Sequence, residues 1–283
     1  MAYCHYALEA KLATRDGLCL SRATGWIENP DGNFVKQDCE RKAFLRLASR
    51  LKKQYPRLPA CIPADGLYPS EGAFEACEKN DWKYIYALQD KSLATVQEEL
   101  VLPRRSKPAK ENYCIKDGKR TSSQYRFQTN IPYHEKHRLH WFQCLESRKK
   151  DVKPGEQSIG KPEESRFEYV TNIEPAAGNI IELSNSGRLR RKIENGGFNA
   201  QKCGGYELEH KYSRTSCDGL QNYYACLQIA HAVNQLVEHR FKAISGDKPD
   251  ARLMEGQLVE AKLKCLALNR FTGIAMPDSY KAA

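Results

Sequence analysis

The beginning of the chain alternates in the manner of a β-hairpin. Residues 3–13 alternate with a period of two, which predicts a strand. The pair Asp16-Gly17 is a hairpin turn signal, and a second strand is predicted over Leu18–Ile27. The run Asn29-Pro-Asp-Gly32 then closes this unit as a turn.

Helical and strand patterns follow in turn. Asp38 is the predicted N-cap of a helix whose apolar positions continue to Tyr55. Residues 60–64 are short and apolar, which predicts a buried strand. A helix from about Pro69 to Lys79 and a strand from Trp82 to Leu88 come next. The order β-β-α-β-α-β is typical of a mixed α/β sheet.

The middle of the chain has a different pattern. Residues 103–110 are basic and are predicted to be a linker. Between Tyr113 and Leu145, aromatic and β-branched residues recur between predicted turns at Asp117-Gly118 and Asn130–Pro132, which predicts a small antiparallel sheet. Residues 148–165 are polar and are predicted to be an exposed loop, and Arg166–Asn172 makes one more strand.

The last part is predicted to be helical. Ile180–Lys202 forms one helical region, and Leu220–Ile244 has a strong apolar stripe. His231 lies on this stripe, where we expect a hydrogen-bonded core histidine. A final helix over residues 251–268 and a mobile tail complete the prediction.

Composition narrows the class of protein. A chain of 283 residues suffices for one main domain with an insertion. The net charge of +10 favours a polyanionic partner, although a solvated basic surface explains it equally well. The eleven cysteines contain no CxxC pair, so we expect reduced thiols of a cytosolic protein. Neither a signal peptide nor a membrane-spanning run of about 20 apolar residues is present in the sequence.

Two carboxylates are candidates for chemistry. Asp65 follows an apolar strand directly, where open α/β sheets place their ligands, although Asp-Gly is also a common turn. Glu194 lies four residues after Arg190, and an ordinary ion pair of about 0.3–0.5 kcal/mol would explain that spacing. However, four cations fall within residues 188–192, and Gly196-Gly197 interrupts the helix. Such a segment is poorly suited to stability, which points towards function.

Histidines give a weaker signal. His134, His137 and His140 recur every third residue, but their context is strand-like, so they would alternate between faces. The sequence therefore argues against a metal site at these histidines.

Several blocks together resemble the insertion-sequence transposases of the DDE class that have a β-rich insertion and a Tyr-Arg-Glu-Lys signature. The resemblance covers roughly residues 3–240, and the order and spacing of its blocks make it specific. The blocks are His5–Leu12 with Lys36–Glu40, Ala64–Tyr68, Gly187–Lys202 with Gly205-Tyr206 and Leu208–Lys211, and Asn222–His231.

The resemblance implies a ribonuclease-H-like α/β fold with three acidic ligands for two divalent ions, Mg²⁺ or Mn²⁺. Asp65 matches the second acid, Glu194 the last, and Arg190 the signature arginine. Folding should bring Asp65 and Glu194 to one metal-holding pocket, where two ions stabilise both the attacking and the leaving oxygen. The implied DNA-contacting cations are Arg188, Arg190, Arg191, Lys192, Lys202 and Lys211.

The resemblance also implies a domain plan and partners. The catalytic domain begins in residues 1–95, is interrupted by a β-rich insertion and linker over 96–178, and is completed by helices over 179–245. Residues 246–283 form a C-terminal helix and tail. Expected partners are the DNA ends of the element and a second transposase chain, with no membrane, in a prokaryotic, nucleoid-associated cytoplasmic protein.

The first departure from the family concerns its first acid, which lies on the strand before the one that begins near Tyr3. Asp16, Asp31 and Asp38 fall in turns or a cap, and none replaces it. The resemblance therefore implies a truncated copy, a fragment or one half of a split gene.

The other departures lie in the signature. Gly187 stands at the tyrosine position and Gln201 at the lysine position, with Lys202 one residue late. On a regular helix Gln201 falls within ~20° of Arg190, and Lys202 ~120° away. We hypothesise that a bulge at Gly196-Gly197 absorbs the extra residue and turns Lys202 inward.

Three functions remain open. The first is a metal-dependent transposase, inactive alone without its first acid. The second is a remnant that binds DNA or the full-length transposase without cleaving. The third is a ribonuclease-H-like nuclease with another substrate.

Overall fold

The computed structural model describes residues 6–27, 38–116, 119–148, 162–210, 213 and 216–245. The predicted turns at 29–32 and 117–118, Asp31, Lys211, the helix over 251–268 and the tail lie outside this description. The chain forms two compact units, the first from Met1–Leu8 and Gly25–Arg190, the second from Glu9–Thr24 and Arg191–Ala283.

The predicted hairpin is confirmed. Strands β1, Tyr6–Ala13, and β2, Cys19–Ile27, pair as a two-stranded sheet. Gly17 has a φ of 112° in the connecting turn, a conformation that favours glycine. The Thr14 hydroxyl accepts a hydrogen bond from the Leu18 amide at 3.1 Å, which supports the same turn.

Helix α1, Glu40–Gln54, confirms the predicted helix but not its cap. The N-cap residue is Cys39, and no side chain caps the helix there. Asp38 instead forms an ion pair with Arg46 at 2.7 Å. The prediction of Asp38 as the cap was wrong because a guanidinium one to two turns along the helix binds its carboxylate.

The next elements have the predicted order. Strand β3, Cys61–Ala64, is followed by α2, Glu71–Lys79, and by β4, Lys83–Ala87. Strands β3 and β4 pair in parallel, with Ala64 opposite Tyr86. The first elements therefore form a mixed α/β arrangement, as predicted.

Residues 103–110 are not a linker. The short helix α3, Ala94–Glu99, precedes a 3-10 turn at Pro103–Arg105. Arg104 binds the buried carboxylate of Glu168 at 2.5 Å, so this basic stretch is fixed to the sheet. The partner lies 64 residues along the chain, which no local pattern indicates.

The strands of the middle region pair antiparallel, as predicted, but do not form a small sheet of their own. Their bounds are β5, Lys110–Lys116; β6, Lys119–Tyr133; β7, His137–Arg148; and β8, Glu163–Thr171. They continue a six-stranded mixed sheet in the order β3-β4-β8-β7-β6-β5, in which β4 pairs with β8. The expected turn at Asn130–Pro132 lies within β6, as a bulge between Gln128 and Ile131.

The core of the first unit has two sides because side chains alternate across the sheet. Phe74 of α2 packs with Tyr84, Tyr86 and Trp141 on one side. On the other side, Ile85, Phe142 and Tyr169 pack against Ile180 and Leu183 of α4, Ile180–Arg188.

The C-terminal region is helical but interrupted. A helical turn α5, Arg190–Lys192, leads into a π-helical segment, Ile193–Asn199, and then into α6, Ala200–Cys203. Helix α7 spans Cys217–Ser245. Among the described residues, none of the helices combines the length and apolarity needed to cross a bilayer.

Candidate functional site

Asp65 begins the connection between β3 and α2. Its Oδ1 accepts a hydrogen bond from the amide of Leu67 at 3.0 Å, and its backbone carbonyl accepts one from Tyr68 at 3.2 Å. Asp65 is therefore a turn residue, as the Asp-Gly pair indicates. Its side chain remains 42% exposed, and Oδ2 lies 3.9 Å from Nη1 of Arg190. One carboxylate oxygen is thus held by the turn and the other faces a cation.

Two blocks of the family resemblance contact each other in the first unit. The Tyr68 hydroxyl donates a hydrogen bond to Glu40 at the start of α1, and the Tyr68 ring lies 5.2 Å from Phe44. Burial raises the pKa of Tyr68 above its usual range, and the hydrogen bond to Glu40 adds to this. Arg41 also binds the carbonyl of Leu67 at 2.9 Å. Helix α1 therefore fixes the turn that carries Asp65.

Gly187, at the signature tyrosine position, has a packing explanation. The residue is buried, and a Cβ there would lie 2.7 Å from Cε1 of Tyr169 and 3.1 Å from Cγ2 of Ile85. Both neighbours are core side chains of the sheet. The space beside α4 is thus filled by Tyr169, and no side chain fits at position 187.

The Arg188 side chain is held by contacts within the first unit. It forms a 2.7 Å ion pair with Glu146, donates to Sγ of Cys144 at 3.2 Å, and lies over the Phe167 ring at 4.4 Å. Burial, the largest single influence, opposes its charge, but the hydrogen bond that Arg188 donates to Glu146 and the nearby negative groups together outweigh this and raise the pKa of Arg188. Its side chain is a structural cation.

Lys192 also has internal partners. Its Nζ donates to the carbonyls of Thr14 at 2.9 Å and Arg15 at 2.7 Å, within the second unit. It therefore holds the turn of the β1–β2 hairpin. Arg191 is exposed.

Glu194 lies in the second unit, in the first turn of the π-helical segment, and is exposed. Among the described residues it forms no ion pair. A π-helical turn has a wider hydrogen-bonded ring than an α-helical turn, is rare, and is frequently found at functional sites. The bulge hypothesised at Gly196-Gly197 is therefore confirmed for the backbone.

The bulge does not turn Lys202 inward, and that part of the hypothesis was wrong. Lys202 is paired at the surface with Glu209, at 2.7 Å. Gln201 is the buried residue instead, and it exchanges two amide hydrogen bonds with Gln228, at 2.8 and 3.1 Å. A polar interior therefore selects glutamine at the signature lysine position.

This polar interior belongs to the second unit and was not predicted beyond His231. Gln201 and Gln235 both contact Nδ1 of His231, each at 3.0 Å, which confirms the predicted core histidine. Lys11 donates to Gln228 at 2.9 Å, and Glu9 accepts hydrogen bonds from Ser21 and Thr24. Burial raises the pKa of Glu9 and lowers that of Lys11. The sequence shows that side chains alternate along β1, but it does not show which face of the strand is buried.

Asp16 and Asp38, which the sequence argued against as matches for the family's first acid, each bind a basic side chain. Asp16 binds His239 at 2.6 Å, and Asp38 binds Arg46.

No protein-family model matches the chain, and a search of curated proteins finds no match.

Proposed function

We propose that the chain is the catalytic part of a DDE-class insertion-sequence transposase with a ribonuclease-H-like fold. It is inactive alone, and it nicks and transfers DNA strands with divalent metal ions when upstream sequence or another chain supplies the first acid. The main observation in support of this proposal is the position of Asp65 and the groups around it. It follows a parallel strand of a mixed sheet, keeps one carboxylate oxygen accessible, and has Arg190 beside it. Open α/β sheets bind their ligands at such strand ends.

The resemblance supports the proposal with a second carboxylate, Glu194, which is exposed on a π-helical segment. In this proposal Asp65 and Glu194 hold Mg²⁺ or Mn²⁺. Accessible carboxylate oxygens are the ligands that such hard cations prefer, so both residues fit the role. The ions would supply charge stabilisation for phosphoryl transfer.

The cations have separate roles in this proposal. Arg190, beside Asp65, is suited to hold a phosphate of the scissile strand. Arg191 extends the exposed basic surface. Arg188 and Lys192 hold the protein's own elements, and Lys202 pairs with Glu209, so their contribution to DNA contact is smaller than the resemblance implies.

The domain plan is part of the proposal. Residues 1–95 and 179–245 would form the catalytic domain around the insertion over 96–178, with 246–283 as an appended segment. Action on element ends would place the protein at the nucleoid of a prokaryotic cell, with a second transposase chain as a partner.

A nicking assay tests the proposal. Supercoiled plasmid that carries the genomic flanks of the coding sequence is incubated with Mg²⁺ or Mn²⁺ and the full chain, both alone and mixed with a second polypeptide that supplies the family's first acid. The variants are compared under the condition in which the wild type nicks. Asp65→Asn keeps an Oδ1 acceptor for the Leu67 amide, so the turn persists while the charge is lost. We expect nicking to fall about 100-fold or more. Asp90→Asn, at an exposed ion pair with Arg166, is the matched control. Equal nicking by wild type and Asp65→Asn would refute a catalytic role.

A second candidate is a protein that binds DNA or a complete transposase without cleaving. It is favoured because only two acids of this sequence match the three that the family uses. Firm DNA binding without nicking, either alone or mixed with a complete transposase, would support this candidate against the first. Cleavage of RNA or unrelated DNA would instead support a ribonuclease-H-like nuclease with another substrate.

A further inference from the structure

Three carboxylates follow one face of α2. Glu71, Glu75 and Glu78 are spaced by four and three residues, so they share that face. His137, the first residue of β7, lies against them. A ring nitrogen of His137 and carboxylate oxygens of Glu71 and Glu75 all lie within 4.8 Å of one another. These residues belong to the first unit, and none of them takes part in the site described above.

The bonding of His137 leaves one ring nitrogen unsatisfied. The residue is 3% exposed, and its Nδ1 lies 3.1 Å from both carboxylate oxygens of Glu78. Its Nε2 is buried and has no hydrogen-bond partner among the described residues. A neutral imidazole that donates from Nδ1 to a carboxylate keeps a lone pair on Nε2. A buried acceptor without a partner is costly unless something binds it.

The ring is held in place by aromatic neighbours. Phe74 lies 5.8 Å and Tyr133 6.3 Å from the imidazole, centroid to centroid. A metal-binding histidine usually donates its other ring N–H to a carboxylate or a similar acceptor, which fixes the orientation of the imidazole. The histidine is therefore pre-oriented, whereas the two glutamates are exposed and adjustable.

An ordinary ion-pair network explains only part of this cluster. Lys136 lies 3.9 Å from Glu71 and 3.7 Å from Glu75, with its own side chain 70% exposed. Such long, solvated pairs contribute little. The Lys136 pairs account for Glu71 and Glu75, and the contact with Nδ1 of His137 accounts for Glu78. Among the described residues, Nε2 of His137 still has no partner.

We propose that Glu71, Glu75 and His137 bind a divalent transition-metal ion, for which Zn²⁺ is the probe, and that Glu78 is a positioning residue. Imidazole with carboxylates is a ligand set for such ions, and Mg²⁺ prefers oxygen ligands alone. The two carboxylates balance the charge of the ion, and the bound ion would displace Lys136 from them. Zinc with three protein ligands keeps a position for water. The ion would tie α2 to the start of β7.

Binding is measured on the full chain without an affinity tag, freed of metal. Zn²⁺ is titrated in competition with a chromophoric chelator, and Co²⁺ reports the ligands through its visible spectrum. We expect one equivalent of Zn²⁺ to bind, with no competition from excess Mg²⁺. The Co²⁺ spectrum should show tetrahedral nitrogen and oxygen ligands without thiolate charge transfer, which separates this site from the cysteines.

Four variants distinguish the proposed metal ligands from residues that only lie near the site. Glu75→Gln changes an exposed residue, so folding is retained, and the affinity should fall about 100-fold. Glu78→Gln should lower the affinity about 10- to 100-fold while the Co²⁺ spectrum keeps its shape. Lys136→Met should raise the affinity because a competing cation is removed. His134→Asn, an exposed histidine nearby with a φ of 48°, is the matched control and should bind like the wild type.

The proposal is overturned if Glu75→Gln binds Zn²⁺ as the wild type does, or if the Co²⁺ spectrum shows thiolate ligands. It is also overturned if Lys136→Met and Glu78→Gln both leave the affinity unchanged, because the cluster would then be an ion-pair network alone.

Discussion

At the scale of single residues, polar side chains occupy positions where the pattern alone would place apolar ones. Glu9 on β1 and Gln201 on α6 are buried, whereas Leu12 on β1 is 50% exposed. The sequence showed that polar and apolar side chains alternate along β1. Because both faces of the strand contain residues that can be buried, the pattern did not show which face is buried. The partners that satisfy these buried groups, such as Gln228, come from distant parts of the chain.

His231 makes stability depend on pH. Burial lowers its pKa to about 4 from 6.5, and the charge of Lys11 adds to this. The unfolded chain therefore binds a proton between about pH 6.5 and 4 that the folded protein excludes. The stability that this residue contributes should be complete above pH 6.5 and lost progressively as the pH falls to about 4, a change of roughly 1–3 kcal/mol.

The measurement is urea unfolding across this pH range, with His231→Asn for comparison. Asparagine keeps an acceptor for the amides of Gln201 and Gln235, but it does not titrate. The wild type should lose more stability than the variant on acidification. Parallel pH profiles for the two proteins would contradict the prediction.

Gly187 should not tolerate even a methyl group. Gly187→Ala places Cβ 2.7 Å from the Tyr169 ring, so we expect a loss of about 1–3 kcal/mol in the free energy of unfolding. Gly178→Ala is the control, because a Cβ there meets nothing within 4 Å. Chemical denaturation of both variants checks this, and equal stabilities would show that the space beside Tyr169 adapts.

At the scale of elements, the sheet extends further than its local signals indicate. Every strand of β3 to β8 overlaps a predicted strand or strand-rich region, because period-two alternation and turn residues are local properties. The pairing of β4 with β8 was not predictable, since Tyr86 and Val170 are far apart in the sequence. The linker assignment for residues 103–110 failed for the same reason.

Arg104 should therefore be a structural residue. Arg104→Ala removes the main partner of Glu168, which is buried and also accepts from Gln143 at 2.7 Å. We expect a loss of about 3 kcal/mol in unfolding free energy, since the buried carboxylate loses its short ion pair and keeps the longer one with Arg166, at 3.6 Å. Arg105→Ala, at the exposed neighbouring position, should stay within about 0.5 kcal/mol of wild type. Thermal or urea unfolding distinguishes the two, and similar losses would contradict the role of Arg104.

At the scale of the whole molecule, the net charge of +10 has a testable consequence for the proposed function. If Arg190 contacts a phosphate, Arg190→Ala should weaken DNA binding and reduce the slope of log K against log salt by about 1. Arg188→Ala should act mainly on stability, because its partner Glu146 is buried.

Fluorescence anisotropy with labelled duplex DNA, at several salt concentrations, measures these slopes. Arg57→Ala, an exposed cation between α1 and β3, is the control and should leave the slope unchanged. A slope that is identical for wild type and Arg190→Ala would remove Arg190 from the proposed interface.

The sequence by itself determined the elements, their order, the hairpin turn at Gly17 and the interruption at Gly196-Gly197, because periodicity and backbone preference act between near neighbours. It also determined that Asp65 ends a strand. Only the tertiary structure decided that strands β3 to β8 form one sheet, that Gln201 rather than Lys202 is buried, and that His137 meets Glu71 and Glu75. Those outcomes depend on packing between segments far apart along the chain, for which a local pattern carries no signal.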